Sequence, residues 1–147
     1  MKHYQRILVP VDFSEMSEVV LEQAKTTAAN YQAQLYLLHV VPFISPSLGA
    51  FADGSSLILQ EDIEQELIEN AQNQMQVLCK KWAIPPDAVS VQVGMNTTDT
   101  ILEVADAENI NLIIIGHSGN KGFFGLLGST ATAVVKSAKC DVLVVRR

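Results

Sequence analysis

Between Gly116 and Gly128 the chain places a glycine at every third position, Gly-His-Ser-Gly-Asn-Lys-Gly-Phe-Phe-Gly-Leu-Leu-Gly, which gathers five of its eight glycines into one segment. Backbone without Cβ atoms can come close to a ligand, and its N–H groups can converge on an anion. The segment follows the apolar run Leu112–Ile115 and precedes Ser129, Thr130 and the apolar-periodic stretch from Ala131 to Ala138. Strand, glycine loop and capped helix in that order place an anion against the positive end of a helix. A second candidate is Asp12, which closes the run Ile7-Leu-Val-Pro-Val-Asp12. A carboxylate there can hold a ligand hydroxyl, or it can simply cap the turn after its strand. The loop also has a plainer reading, as a flexible connection. It is not collagen-like, because proline is not enriched between the glycines and the run is short.

Several chemistries can be tested against these residues. The phosphate loop G-x-x-x-x-G-K-[ST] is absent. A dinucleotide fingerprint would open the first strand–helix unit, where this chain has no glycine. Gly116-His117-Ser118-Gly119 is one residue short of a nucleophile elbow, and no histidine follows His117 to serve as a base. His39 and His117 both fall near strand ends, but no carboxylate or cysteine clearly joins them as metal ligands. Lys121 either reaches phosphates or is solvated. Phe123 and Phe124 either form a lid or partner patch or pack on their own domain.

The elements that must position these groups can be read from apolar periodicity. Strands are expected in the apolar run 7–12, which ends in a polar turn with Pro10-Val11-Asp12 after the strand, and at 35–41, 89–93, 112–115 and 142–145. Ser14 is expected to cap a first helix with the stripe Met16, Val20, Ala24, Ala28 and Tyr31. A long helix from Ser56 to Trp82 would bury Ile63, Leu67, Ala71, Met75, Leu78 and Trp82, and Ile84-Pro85-Pro86 ends it. Thr97 or Thr98 can cap a third helix carrying Ile101, Val104 and Ala105. The fourth, after the glycine loop, has Lys136 and Lys139 near its negative end. Residues 42–56 form the one long irregular segment, a length usually associated with function or mobility. Strands alternating with helices, with no hairpin signal, imply a parallel α/β sheet covered on both faces. With no repeat or linker, residues 1–147 read as a single domain.

Composition narrows the partners. The chain has 147 residues, 48% of them hydrophobic, and a net charge of −6, with a pI near 4.9. Nucleic-acid binding needs a basic face and is disfavoured. One nucleotide remains possible, because converging N–H groups act as a local field. No apolar run approaches the roughly 20 residues that span a bilayer, and the start lacks signal-peptide features. Cys79 and Cys140 could pair on counting alone, but free thiols in a reducing, cytoplasmic compartment are the favoured reading.

The opening Ile-Leu-Val-Pro-Val-Asp-Phe-Ser and the closing Gly-x-x-Gly…Gly-Ser-Thr-Ala…Ala-Lys-Cys-Asp-Val-Leu-Val-Val resemble the universal stress protein family over nearly the whole chain. The resemblance implies one open five-stranded parallel sheet in the order 3-2-1-4-5, with ATP bound in the family's nucleotide-binding branch. It assigns Asp12 to ribose and adenine beside backbone from Pro10 and Val11, and Val40 to adenine. Gly116, His117, Gly119, Gly128, Ser129 and Thr130 fall in the phosphate loop and the helix start after it. Between Gly119 and Gly128 this chain has eight residues where the family motif has nine, and Gly122 and Gly125 can absorb the difference. Asp141 stands where relatives often have proline.

The function this implies is a regulatory protein that binds ATP at the sheet switch point, with slow or no hydrolysis, since no dedicated base accompanies the loop. Mg²⁺ would arrive with the nucleotide, held by phosphate oxygens and water rather than a dedicated protein ligand. Two other classes stay open: an interaction dimer that binds no nucleotide, and a phosphotransferase using Ser118 or Ser129 as acceptor. In the implied order the last strand is an edge, and relatives pair it antiparallel about a two-fold axis. A homodimer through residues 142–146 is therefore expected.

Overall fold

Leu112 to Ile115 are all buried, and so are Ile7 to Val9. A strand apolar at both parities must be covered on both faces. A computed structural model describes residues 3–43, 55–118 and 127–147. Chain order is β1 (Arg6–Pro10), α1 (Glu15–Tyr31), β2 (Gln34–Pro42), α2 (Ser55–Trp82), a 3₁₀ turn (Pro86–Ala88), β3 (Val89–Gly94), α3 (Thr97–Ala107), β4 (Leu112–Gly116), α4 (Ser129–Ser137) and β5 (Asp141–Val145). The strands form one sheet, β3-β2-β1-β4-β5, with every pair parallel.

Alternate residues of each central strand feed two cores, as the period of two requires. Ile7, Val9, Leu37, Leu112 and Ile114 pack with Val20, Leu21 and Ala24 of α1 and Met75 and Leu78 of α2. Leu8, Leu38, Val40, Ile113 and Ile115 pack on the other face with Ile101 and Ala105 of α3 and Ala131 and Val134 of α4. Cys79 belongs to the first face and Cys140 to the second. Both thiols are free. Burial raises the pKa of each, and for Cys140 the charges of Asp141 and Asp106 add to it while backbone hydrogen bonds oppose it.

Strand β1 stops at Pro10, so Val11 and Asp12 lie in the turn beyond its carboxyl end, as expected. Two local expectations need correction. The side chain that caps α3 is Asn96, whose Oδ1 accepts from the Asp99 N–H at 3.1 Å; Thr97 is already helical. Helix α2 does not bury its whole stripe, for Ile63 is 48% exposed and Leu67 37%, whereas Ala71, Met75 and Leu78 are buried. Twenty-eight helical residues run about 42 Å at 1.5 Å each. That is longer than β2 and β3, so the amino-terminal half of α2 outruns the surface it could cover. The segment 44–54 and the loop residues 119–126, with Gly119, Lys121, Phe123 and Phe124, lie outside the described residues.

The amino ends of the strands are tied together by side chains. Asn111 Oδ1 accepts the N–H groups of Gln5 and Arg6 at 3.1 and 3.0 Å, and the Asn111 N–H donates to the Arg6 carbonyl at 3.0 Å. Arg6 pairs with Glu108 at 3.2 Å and lies 4.8 Å above the Tyr36 ring. Tyr4 donates its hydroxyl to Asp141 at 2.7 Å.

Candidate functional site

Strand β1 pairs with β2 from Arg6 to Pro10, but with β4 only at Ile7↔Leu112 and Leu8↔Ile113. Beyond Leu8 the two middle strands part, at the point where strand order reverses and open α/β sheets leave a crevice. A cavity of about 330 Å³ fills it. Pro10 and the turn residues Val11 and Asp12 line it at the end of β1, and Leu38, His39 and Val40 from β2. Ile115 and Gly116 come from β4 and His117 and Ser118 from just beyond it, Gly128 to Ala131 from the start of α4, Thr97 and Ile101 from α3, and Met16, Ser17 and Val20 from α1. Pro10, Val11, Asp12, Val40, Gly116, His117, Gly128, Ser129 and Thr130, far apart in sequence, are thus brought around one space. Gly119 is outside the described residues.

Asp12 is exposed on the cavity rim. Its Oδ1 accepts the Ser14 N–H at 3.0 Å and the Ser17 hydroxyl at 3.3 Å. The carboxylate therefore closes the turn that leads into α1. Ser14 stands at the N-cap position, but its side chain makes no capping bond, and its buried Oγ has no partner among the described residues. The second carboxylate oxygen of Asp12 has no partner among the described residues, so the turn engages only one oxygen.

The turn has two further features. Phe13 has φ 61°, in the left-handed region that non-glycine residues rarely enter. Its ring lies 4.3 Å from that of His39, tilted by 33°. The His39 ring nitrogen Nδ1 is 2.7 Å from the Val11 carbonyl. His39 was weighed from sequence only as a metal ligand. Its contact with Val11 depends on the register of β1 against β2, which no local pattern carries. Among the described residues no group of three His, Cys, Asp or Glu side chains could hold a metal ion.

The two ends of the glycine loop are pinned. The His117 N–H donates to the Val145 carbonyl at 2.8 Å, and the Gly128 N–H donates to the His117 carbonyl at 2.8 Å. Gly128, and not Ser129, is the N-cap of α4; Ser129 and Thr130 are its first helical residues. With φ −60° and ψ 158°, Gly128 needs no special conformation. What demands glycine is proximity, because a Cβ there would meet the His117 carbonyl oxygen at 3.2 Å and Ser118 Cα at 3.3 Å. At Gly116 a Cβ would meet Val20 Cγ2 at 3.2 Å, so that glycine serves the packing of β4 on α1. The first N–H groups of a helix have no partner within it, and Ser129, Thr130 and Ala131, at the start of α4, line the cavity.

A family model described as the universal stress protein family matches residues 3–146. This chain belongs to the universal stress protein family. Among its relatives, Universal stress protein A homolog 2 of Coxiella burnetii is 38% identical over 147 residues, covering 99% of this chain and 97% of that protein. Universal stress protein MJ0577 of Methanocaldococcus jannaschii is 30% identical over 156 residues, with 98% of this chain and 96% of that protein covered. The solved MJ0577 structure superposes with a TM-score of 0.81 at 28% identity, covering 99% of this chain and 98% of that one. The universal stress protein UspA from Lactobacillus plantarum superposes with a TM-score of 0.78 at 26% identity, covering 99% of this chain and all of that one. Both solved structures thus share this chain's fold.

Proposed function

We propose that this chain is a regulatory universal stress protein that binds ATP in the crevice between β1 and β4, with slow or no hydrolysis. The observation that carries the reading is the convergence of three kinds of group on the 330 Å³ cavity. Leu38, Val40, Ile101 and Ile115 offer an apolar wall suited to a base, Asp12 keeps a carboxylate oxygen for a ribose hydroxyl, and the α4 N-terminus offers N–H groups to phosphates. The close approach of Gly128 to His117 and Ser118 supports the same reading, since a side chain at Gly128 would crowd the loop beside that helix end. Pro10 and Val11 supply backbone beside Asp12; Gly116, His117, Gly119, Ser129 and Thr130 complete the phosphate end.

Asp12 is the one carboxylate among the described residues lining the cavity, and it is already engaged by Ser14 and Ser17. It is poorly placed to activate a water, which supports slow or no hydrolysis. Mg²⁺ would enter with the nucleotide on phosphate oxygens and water. Among the described residues no helix is long and apolar enough to cross a membrane, and the unpaired Cys79 and Cys140 suit a reducing cytoplasm.

Equilibrium dialysis with ATP, together with mass spectrometry of nucleotide carried through purification, tests the proposal. Saturable binding supports it. Absence of binding by a folded chain favours the interaction-dimer reading, in which Asp12 is only a turn residue.

The proposal includes a homodimer through residues 142–146. Strand β5 ends the sheet, and Leu143 is 37% exposed on it. A second copy pairing with that edge would satisfy its open backbone groups. Sedimentation should give a dimer at micromolar concentration and a monomer for Val144→Pro. A wild-type monomer, or a dimer that Val144→Pro leaves intact, would exclude this interface.

A further inference from the structure

We propose that His39 is a positioning residue for this site: its ring tethers the Val11-Asp12-Phe13 turn to β2 and so sets where the Asp12 carboxylate stands. The inference rests on the ATP-site reading above. The turn begins where β1 ends. The Val11 N–H still makes the next ladder bond, to the Leu38 carbonyl at 2.8 Å. In a parallel ladder the Val11 carbonyl would then face the Val40 N–H. It is met instead by His39 Nδ1 at 2.7 Å. A side chain of β2 thus takes the acceptor that the backbone would use, and the chain is free to turn away while still anchored. Val40, the next residue, is left lining the cavity.

A carbonyl oxygen only accepts, so Nδ1 must carry the hydrogen in this contact. In the neutral ring that contact selects the Nδ1–H tautomer. The same ring lies 4.3 Å from that of Phe13, whose backbone sits at φ 61°. Backbone held in a sparsely populated region persists only where its surroundings over-determine it. His39 supplies two of those restraints, one on each side of Asp12. Asp12 then reaches the Ser14 N–H and the Ser17 hydroxyl through Oδ1, and its orientation follows from the turn.

Two variants separate tethering from packing. His39→Leu keeps bulk and removes the donor, whereas His39→Asn places an amide N–H near the position of Nδ1. The primary readout is hydrogen exchange of the Ser14 amide, which reports the Asp12 contact without any ligand. His39→Leu should speed that exchange about tenfold or more, with Leu8 and Ile113 amides unchanged and His39→Asn close to wild type. For ATP, His39→Leu should weaken binding about tenfold and leave inorganic tripolyphosphate unaffected, with His39→Asn restoring most of the loss. Unchanged Ser14 exchange in His39→Leu would overturn the proposal. Equal damage in both variants, or lost protection at Leu8 and Ile113 together with Ser14, would also overturn it and make His39 a packing residue. A wild-type chain that fails to bind ATP would sink the ATP reading alone, because Ser14 exchange still decides the tether.

Discussion

At the amino ends of the strands, Asn111 satisfies the N–H groups of Gln5 and Arg6, Arg6 reaches Glu108 and Tyr36, and Tyr4 closes on Asp141. At the carboxyl ends β1 and β4 part after Leu8 and Ile113, Asp12 keeps one oxygen unused among the described residues, and Phe13 sits at φ 61°. One end of the sheet is closed by polar side chains, and the other opens on a cavity. The same strands run through both, so the difference lies in the turns. A left-handed residue costs stability, and register held at one end lets a protein tolerate it at the other. That division gives distinct expectations: changes at the amino end should alter stability and spare ligand binding, and changes at the carboxyl end should do the reverse.

The largest effect is expected at the glycine loop. Gly128→Val would push a branched side chain into the 3.2 Å gap to the His117 carbonyl. ATP affinity should fall by more than about 100-fold, close to 3 kcal/mol, in calorimetric titration. The chain should stay folded, with overpacking costing about 1–3 kcal/mol. Unchanged affinity in the folded variant would remove the carboxyl end from the account.

Asn111→Ala is the matching change at the other end. Two N–H groups lose their acceptor, at 3.1 and 3.0 Å, and at about 1 kcal/mol each the chain should lose about 2 kcal/mol in urea unfolding. ATP affinity of the folded fraction should be unaltered. A large change in affinity would mean that the two ends are coupled.

The comparison has a physical explanation in what a linear sequence can carry. The strands were legible because burial on both faces forces unbroken apolar runs, as in Ile7 to Val9 and Leu112 to Ile115. Asp12 and the glycine loop were legible because turns and close approaches restrict residue type. The contacts that finish each end were not. His39 meets Val11 only through the β1–β2 register, and Asn111 meets Gln5 and Arg6 only through the pairing of β4 with β1. Asn96, Thr97 and Thr98 stand in a row as capping residues, and only the point at which the backbone turns helical selects Asn96 among them. Ile63 and Leu67 fit the helical period of α2, yet are half exposed because the period reports a face and not what covers it.

A smaller effect is expected at Asp12. Asp12→Ala removes the free oxygen proposed for ribose, so ATP should bind about tenfold more weakly, near 1.4 kcal/mol, with tripolyphosphate little affected. Stability should fall by about 1 kcal/mol, because the Ser14 N–H and the Ser17 hydroxyl lose their acceptor. Loss of stability with no change in affinity would leave Asp12 as a turn residue only.

The most direct test of the central claim is a titration of the ¹⁵N-labelled chain with Mg-ATP, followed by amide shifts. The account predicts saturable shifts at Val11 to Phe13, Val40, Gly116 to Ser118 and Gly128 to Ala131, with Gln5, Arg6 and Asn111 unmoved. Shifts centred on Gln5, Arg6 and Asn111, or none at millimolar ATP, would contradict it.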